Sequence, residues 1–410
     1  MRLLHTSDWH LGKRLFDKER YDVFEKFLAW LLSTIRQERV DTLIVAGDIF
    51  DTAVPTNKSL RLYYDFLSQL TSSECRHVVI VSGNHDSPTL LEAPKGILEN
   101  FGVHVIGGAE SPEDEVIELK DKAGNLEGVV CAVPFLRERD ILRLKDDSTL
   151  SRAEEIQLAV ENHYKSVVKA AIDRMGAKRV PLIATGHLFT VGSPKGEDVN
   201  ELYIGATGAV PVNIFPSEID YLALGHIHRA YSIGGDKTRN YCGAPIPLTF
   251  EEANLEKLVR LVDFEPDEIK VADIQVPKFD RLVSVQGSQT EISTKLKELA
   301  GQDEKILVEV IHTGKANAIN LTGEVSEQTS GTKIEVLRVF DETKKANCLA
   351  NDGDEMEIGE LTWENVFEKK LKNETFEGEV SEEELWNAYR NAYFQISELA
   401  DVNVADVNAQ

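Results

Sequence analysis

Five apolar, strand-like runs in this chain break off in the same way, and that punctuation constrains the fold more than any other feature. "MRLLHTSDWH" (1–10) ends on Asp8 and His10, "VDTLIVAGD" (40–48) on Asp48, and "HVVIVSGNHD" (77–86) on Asn84 and His85. "VPLIATGH" (180–187) ends on His187, and "DYLALGHIH" (220–228) on His226 and His228. Runs with so little alternation read as strands buried on both faces. Amphipathic helices lie between them: residues 19–38 put Val23, Phe24, Phe27, Leu28, Leu31, Leu32 and Ile35 on one face, and 58–71 and 152–175 also read as helical. "PTLLEAPKGILENF" (88–101) reads as helix and "VHVIGG" as strand. Strands alternating with helices predict an α/β sandwich. The shorter runs "RAYSIGG", "RNYCGAP" and "LVRLVDF" read as an antiparallel addition. Sites in such sheets gather beyond the carboxyl ends of the strands. Four of the five turns carry glycine at or next to the residue before the polar group, which lets backbone approach an ion or phosphate closely.

The side-chain types then select the chemistry. Thiolates are absent, and a mixture of carboxylate, imidazole and one neutral amide suits Mn²⁺, Fe or Zn²⁺ better than Mg²⁺ alone. Seven donors (Asp8, His10, Asp48, Asn84, His187, His226 and His228) exceed what one first-row ion takes but fit two ions sharing a carboxylate. Asp48, central in chain order, is the natural bridge. Two ions about 3.5–4 Å apart can hold both the attacking and the leaving oxygen of a phosphoryl displacement, and lower the pKa of a shared water. His85 directly follows a donor and is expected to act on the phosphate instead, stabilising charge or protonating the departing oxygen. Asp51 of "GDIFD" or Asp86 could hold that ring in its tautomer, and Asp51 is preferred. Five other histidines (His5, His77, His104, His163 and His312) read as ordinary core or surface residues.

Composition limits the surroundings. The four cysteines, Cys75, Cys131, Cys242 and Cys348, are widely spaced and form no C-x-x-C pair, which disfavours zinc fingers and disulfide frameworks. No apolar stretch approaches the roughly 20 residues that span a bilayer, and the N-terminus lacks a signal-peptide layout, so a cytoplasmic protein is expected. The net charge of −25 argues against a broad electrostatic grip on nucleic acid. From 351 to 410, however, 16 Asp/Glu face 4 Lys/Arg, a net of −12, so nearly half of that charge sits in the tail. Lys13, Arg14, Lys58, Arg61, Arg137, Arg139 and Arg229 remain candidates for phosphate contacts, Arg229 foremost because it follows the His226/His228 pair.

In combination, D-x-H, G-D-x-x-D, G-N-H-D, G-H and G-H-x-H resemble the calcineurin-type metallophosphoesterase superfamily. "LLHTSDWHLGKRL", "PFLRERD", "IATGHLFTVG", "ALGHIHRA" and "YCGAPIPLTF" narrow the resemblance to the SbcD family, the nuclease subunits of bacterial SbcCD complexes, over nearly the whole chain. That resemblance implies a four-layer α-β-β-α sandwich over 1–275. It further implies a small α+β capping domain contacting DNA over 276–345, and C-terminal partner-binding helices over 346–410. One metal is implied at Asp8, His10, Asp48 and His228, the other at Asp48, Asn84, His187 and His226. His85 matches the family's catalytic histidine that is not a ligand.

The implied cofactors are two Mn²⁺, with Mg²⁺ as a substitute. The implied activity is ATP-dependent 3′→5′ exonuclease and endonuclease cleavage of double-stranded DNA ends and hairpins, in repair, recombination and replication. ATP hydrolysis would belong to an SbcC-like coiled-coil ATPase, because this chain has no G-x-x-x-x-G-K-[ST] loop. A homodimer within a heterotetramer is also implied. Residues 281–340 read as strand, helix, strand, helix, strand, and two amphipathic helices near 362–372 and from Ser381 would dock the partner or pack on the chain itself. Competing readings are a metallophosphodiesterase for a small nucleotide and a DNA-end scaffold that does not cut.

Overall fold

The computed structural model describes residues 1–142, 150–190, 210–314 and 320–342, all within one compact unit, Met1–Thr343. The helices expected at 362–372 and from Ser381, and Cys348, lie outside the described residues.

The chain begins as a parallel βαβ series. Strands β1 (Arg2–Thr6), β2 (Thr42–Ala46), β3 (His77–Val81) and β4 (Val103–Ile106) pair in that order. They are linked by the helices Tyr21–Gln37 and Asn57–Leu70 and, before β4, by short helical turns. The expected single helix at 88–101 is three pieces, Pro88–Glu92, Lys95–Leu98 and Glu99–Phe101. Pro94 stands at the first break, where its ring and missing N–H cannot continue the helix.

A second sheet follows: β5 (Val116–Lys120), β6 (Leu126–Cys131), β7 (Leu182–His187), β8 (Tyr221–Gly225), β9 (Tyr231–Ser232) and β10 (Arg239–Tyr241). Its strand order is β5-β6-β7-β8-β10-β9, with the helix Arg152–Met175 leading into β7. The run "RNYCGAP" was expected to be antiparallel. Its strand, β10, does pair antiparallel with β9, and on its other edge it pairs parallel with β8, because β9 is a short return and β10 resumes the direction of β8. Strand β11 (Leu258–Phe264) does run antiparallel, beside β1, with β12 (Ile269–Gln275) outside it.

The two sheets explain why the strand runs are continuously apolar. Leu4, Leu43 and Val45 face the first pair of helices, while Leu3, Ile44 and Ala46 meet Val130, Ile183, Tyr221 and Ala223 of the second sheet. Alternate residues therefore point into two different cores. On the far side, Val160, Tyr164 and Val167 of the helix Arg152–Met175 pack on Cys131, Leu182 and Leu222. The result is four layers, helix–sheet–sheet–helix. Cys75, Cys131 and Cys242 are buried thiols. No helix among the described residues is long and apolar enough to cross a membrane.

Residues 281–341 form a small parallel sheet, β13 (Arg281–Gly287), β14 (Ile306–His312) and β15 (Ile334–Asp341). The helices Gln289–Ala300 and Leu321–Thr329 connect its strands. Ser288 and Glu291 close a reciprocal cap on the first of these helices. This unit is seated on the sandwich by polar and apolar contacts together. The Arg20 guanidinium, with its side chain 1% exposed, donates to both carboxylate oxygens of Asp280 at 2.8 and 3.0 Å. Lys18 pairs with Glu335, and Leu15, Phe250 and Ala253 pack against Leu282 and Leu307.

Candidate metal centre

The five strand ends that carry the candidate donors divide between the sheets, three on β1, β2 and β3 and two on β7 and β8. The centre therefore lies where the two carboxyl edges meet, and main-chain groups stitch that seam. The His187 Nδ1 lies 2.9 Å from the Ala46 carbonyl oxygen, and the His226 amide donates to Asp8 Oδ1 at 2.8 Å. Gly225 has to be glycine here, because a Cβ would overlap the Ala46 carbonyl oxygen.

The backbone is unusual at these positions. Asp8 (φ 52°), His10 (φ 47°), Asp48 (φ 51°) and His226 (φ 94°) occupy the left-handed region. They are four of the seven non-glycine residues with positive φ among the described residues. Such conformations cost energy and persist only where surrounding contacts over-determine them. The Asp8 amide donates to Gly47 O and the His10 amide to Asp48 O, both at 3.0 Å, which holds the first loop on the second.

The polar atoms converge with one recurrent spacing. His10 Nε2 lies 3.2 Å from His228 Nε2 and 3.4 Å from Asp48 Oδ2. His187 Nε2 lies 3.3 Å from the same Asp48 oxygen and 3.0 Å from Asn84 Oδ1, which is also 3.0 Å from His226 Nδ1. Donors about 2.1 Å from an ion, at angles between octahedral and tetrahedral, stand about 3.0–3.4 Å apart. Asp48 Oδ2 lies on the edge of both donor sets. Asp8, His10 and His228 bring ligand atoms within 4.8 Å of one another, as do Asp8, Asp48 and His187.

Tautomers and charge agree with cation binding. The Ala46 carbonyl can only accept, so it places the neutral His187 proton on Nδ1 and turns the Nε2 lone pair towards Asp48. His228 Nδ1 faces the Glu252 carboxylate at 3.2 Å, and His10 Nδ1 faces that of Asp51 at 3.4 Å. With those protons on Nδ1, the two Nε2 lone pairs confront each other, an arrangement that a cation relieves. Burial alone would push Asp48 up, yet the His187 and His10 imidazoles hold it well below the ordinary carboxylate range. Burial disfavours a charged His187, but the Asp48 carboxylate beside it raises its pKa to about 9, so a cation bound there would take the place of that proton. Burial and the neighbouring His187 push His226 down to about 3, leaving the neutral ring that can ligate.

The remaining expected residues fall into place unequally. His85 stacks edge-on against His10, 4.9 Å between ring centroids, and its amide donates to Asp48 Oδ1 at 2.9 Å. Asp51 meets the His85 ring, but through its main-chain carbonyl, 2.9 Å from Nδ1. Its carboxylate faces His10 and Lys13 instead. The Asp86 carboxylate accepts from the amides of Ile49, Phe50 and Gly83, tying two ligand loops together. Arg137 donates to the Asp86 carbonyl at 3.1 Å, which brings it and Lys13 beside these loops, whereas Arg14, Arg139 and Arg229 are exposed. The sequence pattern does not single out Glu252, which lies in "PLTFEEANLEK" with only a nearby lysine to mark it. Its side chain is 8% exposed; burial raises its pKa, but His228 and Lys257 bring it down to about 2.

A four-layer sandwich with aspartate, asparagine and histidine converging at the joined carboxyl edges of its two sheets defines a metal-dependent phosphoester hydrolase. Residues 1–230 match the family model of calcineurin-like phosphoesterases, and 278–375 match that described as the type 5 capsule protein repressor C-terminal domain, SbcD_C. Curated relatives that carry the name of the SbcD component of the SbcCD nuclease include one from Escherichia coli K12, 34% identical over 90% of this chain and 92% of its own. Another, from Rhodobacter capsulatus, is 37% identical over 64% and 66%. A third, from Bacillus subtilis, is 28% identical over 94% and 96%. The chain belongs to the SbcD family of calcineurin-like phosphoesterases.

Proposed function

We propose that the chain is a two-metal DNA nuclease that works with an SbcC-like coiled-coil ATPase. Asp8, His10, Asp48 and His228 would hold one ion and Asp48, Asn84, His187 and His226 the other, with Mn²⁺ as the preferred metal. The observation that carries this reading is the 3.0–3.4 Å spacing shared by donors from both sheets, with Asp48 Oδ2 common to the two sets. Divalent cations bound there supply the positive charge that stabilises an in-line phosphoryl displacement and acidify the attacking water.

The protein's own groups do the rest. Asp48 and Asp8 hold the two imidazole sets in register across the seam. His85, with Nδ1 donating to the Asp51 carbonyl, leaves Nε2 free to take up a second proton, and the ring in its imidazolium form would stabilise or protonate a phosphate oxygen through Nε2–H. Lys13 and Arg137 stand beside the ligand loops and suit contacts to the backbone of double-stranded DNA, with the exposed Arg14, Arg139 and Arg229 extending that track. Similarity to the SbcCD nuclease subunits supports cleavage of DNA ends and hairpins, ATP dependence through the partner, a dimer within a heterotetramer, and a cytoplasmic site of action.

The test uses the full chain with Mn²⁺, with and without the ATPase, on a DNA hairpin and on an aryl phosphodiester. Hairpin cleavage that rises with partner and ATP supports the proposal. Turnover of the small diester with no DNA cleavage in either condition would transfer the site to a small nucleotide substrate. Cleavage of neither would leave a scaffold. His85→Ala should retain two metals by elemental analysis and lose at least about 10²-fold in cleavage rate.

A further inference from the structure

The segment 247–257 joins features that lie on opposite sides of it. On one side is the centre: Glu252 Oε1 lies 3.2 Å from His228 Nδ1, and its other oxygen accepts from the Leu248 amide and, in a short contact, from Lys257. Lys257 Nζ also reaches the His228 carbonyl at 3.3 Å, so one ammonium grips both the carboxylate and the main chain of the residue it serves. On the other side is the small sheet: Phe250 and Ala253, flanking Glu252 on the turn Glu251–Asn254, pack with Leu282 of β13 and Leu307 of β14. Arg20 donates to the Pro247 carbonyl at 2.8 Å while holding Asp280, and Lys278 donates to the Ala253 carbonyl at 3.4 Å. The same turn thus contacts both the centre and the small sheet.

We propose that Glu252 is a positioning residue for His228, and that the seating of the 281–341 unit sets the metal affinity of the Asp8–His10–His228 set through it. This rests on the metal reading given above. A carboxylate accepting the Nδ1 proton fixes the tautomer and the ring plane and makes Nε2 a stronger donor; its loss typically weakens a metal site by about 10–100-fold. Glu252 belongs to a turn whose packing partners lie in the small unit, so the ring orientation depends on contacts remote from any ligand. Whatever engages residues 281–341, a DNA backbone included, can then tighten or loosen one of the two metal positions without touching it.

The experiment titrates metal-free full-length protein with Mn²⁺ by calorimetry and by electron paramagnetic resonance, alongside its melting temperature. Unmodified protein that takes up no Mn²⁺ would remove the metal reading itself. Given two sites in the unmodified protein, Glu252→Met should weaken one of them by about 10–100-fold and spare the other. Glu252→Gln, which keeps an acceptor oxygen, should restore most of the affinity. Leu307→Ala, which touches no ligand, should weaken the same site measurably. If Glu252→Met does not fold, Glu252→Met/Lys257→Met removes the buried ammonium together with its carboxylate and makes the same measurement. Two sites of unchanged affinity in the Glu252 variants, with only a lowered melting temperature, overturn the positioning role. Unchanged affinity in Leu307→Ala overturns the coupling.

Discussion

Aspartate 51 shows why residue type alone does not reveal a role. Its side chain was the expected holder of His85, but that ring meets the main-chain carbonyl, which every residue possesses. The carboxylate serves His10 and Lys13. Asp51→Ala should therefore raise the Mn²⁺ concentration needed for half-maximal cleavage by about 10-fold or more. At saturating Mn²⁺ its maximal rate should stay within a few-fold of the unmodified protein. A metal titration of cleavage separates the two, and a collapse of the maximal rate at all metal concentrations contradicts this division of labour. The convergence of Asp8, His10, Asp48, Asn84, His85, His187, His226 and His228 was legible because each is a metal-competent side chain at a strand end, with glycine just before the first polar residue at four of the five ends. The Ala46 and Asp51 carbonyls were not, since backbone acceptors leave no mark in a sequence. Glu252 was invisible for another reason: its partner His228 is 24 residues away and only folding brings them together.

At the scale of elements, the strands were legible and their sheet membership was not. A doubly buried strand reads as a continuous apolar run whichever sheet it joins, so five ligand-bearing ends suggested one crevice without showing that two sheets build it. The break at Pro94 and the parallel return of β10 were likewise hidden, because each depends on a turn rather than on periodicity. The seam makes Gly225 a sensitive position. Gly225→Ala forces a methyl into the Ala46 carbonyl, and neither β8 nor β2 can retreat, since each has strands on both sides. A loss of at least about 1–3 kcal/mol is expected, together with weaker metal uptake because His187 and His226 flank the displaced backbone. Urea unfolding of the metal-free protein and a metal titration would register both effects.

Across the whole molecule, among the described residues, the small unit is fastened to the sandwich by the buried Arg20–Asp280 pair, the partly exposed Lys18–Glu335 pair and a compact apolar patch. Asp280 retains some contact with water, its side chain being 15% exposed, while Arg20 does not. Removing one partner of such a pair leaves an uncompensated charge, and Arg20→Ala should cost about 3 kcal/mol. Hydrogen exchange should then accelerate chiefly in residues 281–341, with β1, β2 and β3 unchanged. Uniform acceleration would mean that the two parts unfold as one.

The seam between the sheets has a temporal consequence. The loops after β1, β2 and β3 come early in the chain, yet three of the imidazoles that converge with them, His187, His226 and His228, sit beyond residue 180, and His228 faces Glu252 on a turn that packs on strands later still. The full set of converging side chains is therefore available only once the first 228 residues have been made and the two sheets have packed. On the metal reading proposed above, cation uptake would follow the joining of the two sheets rather than precede it.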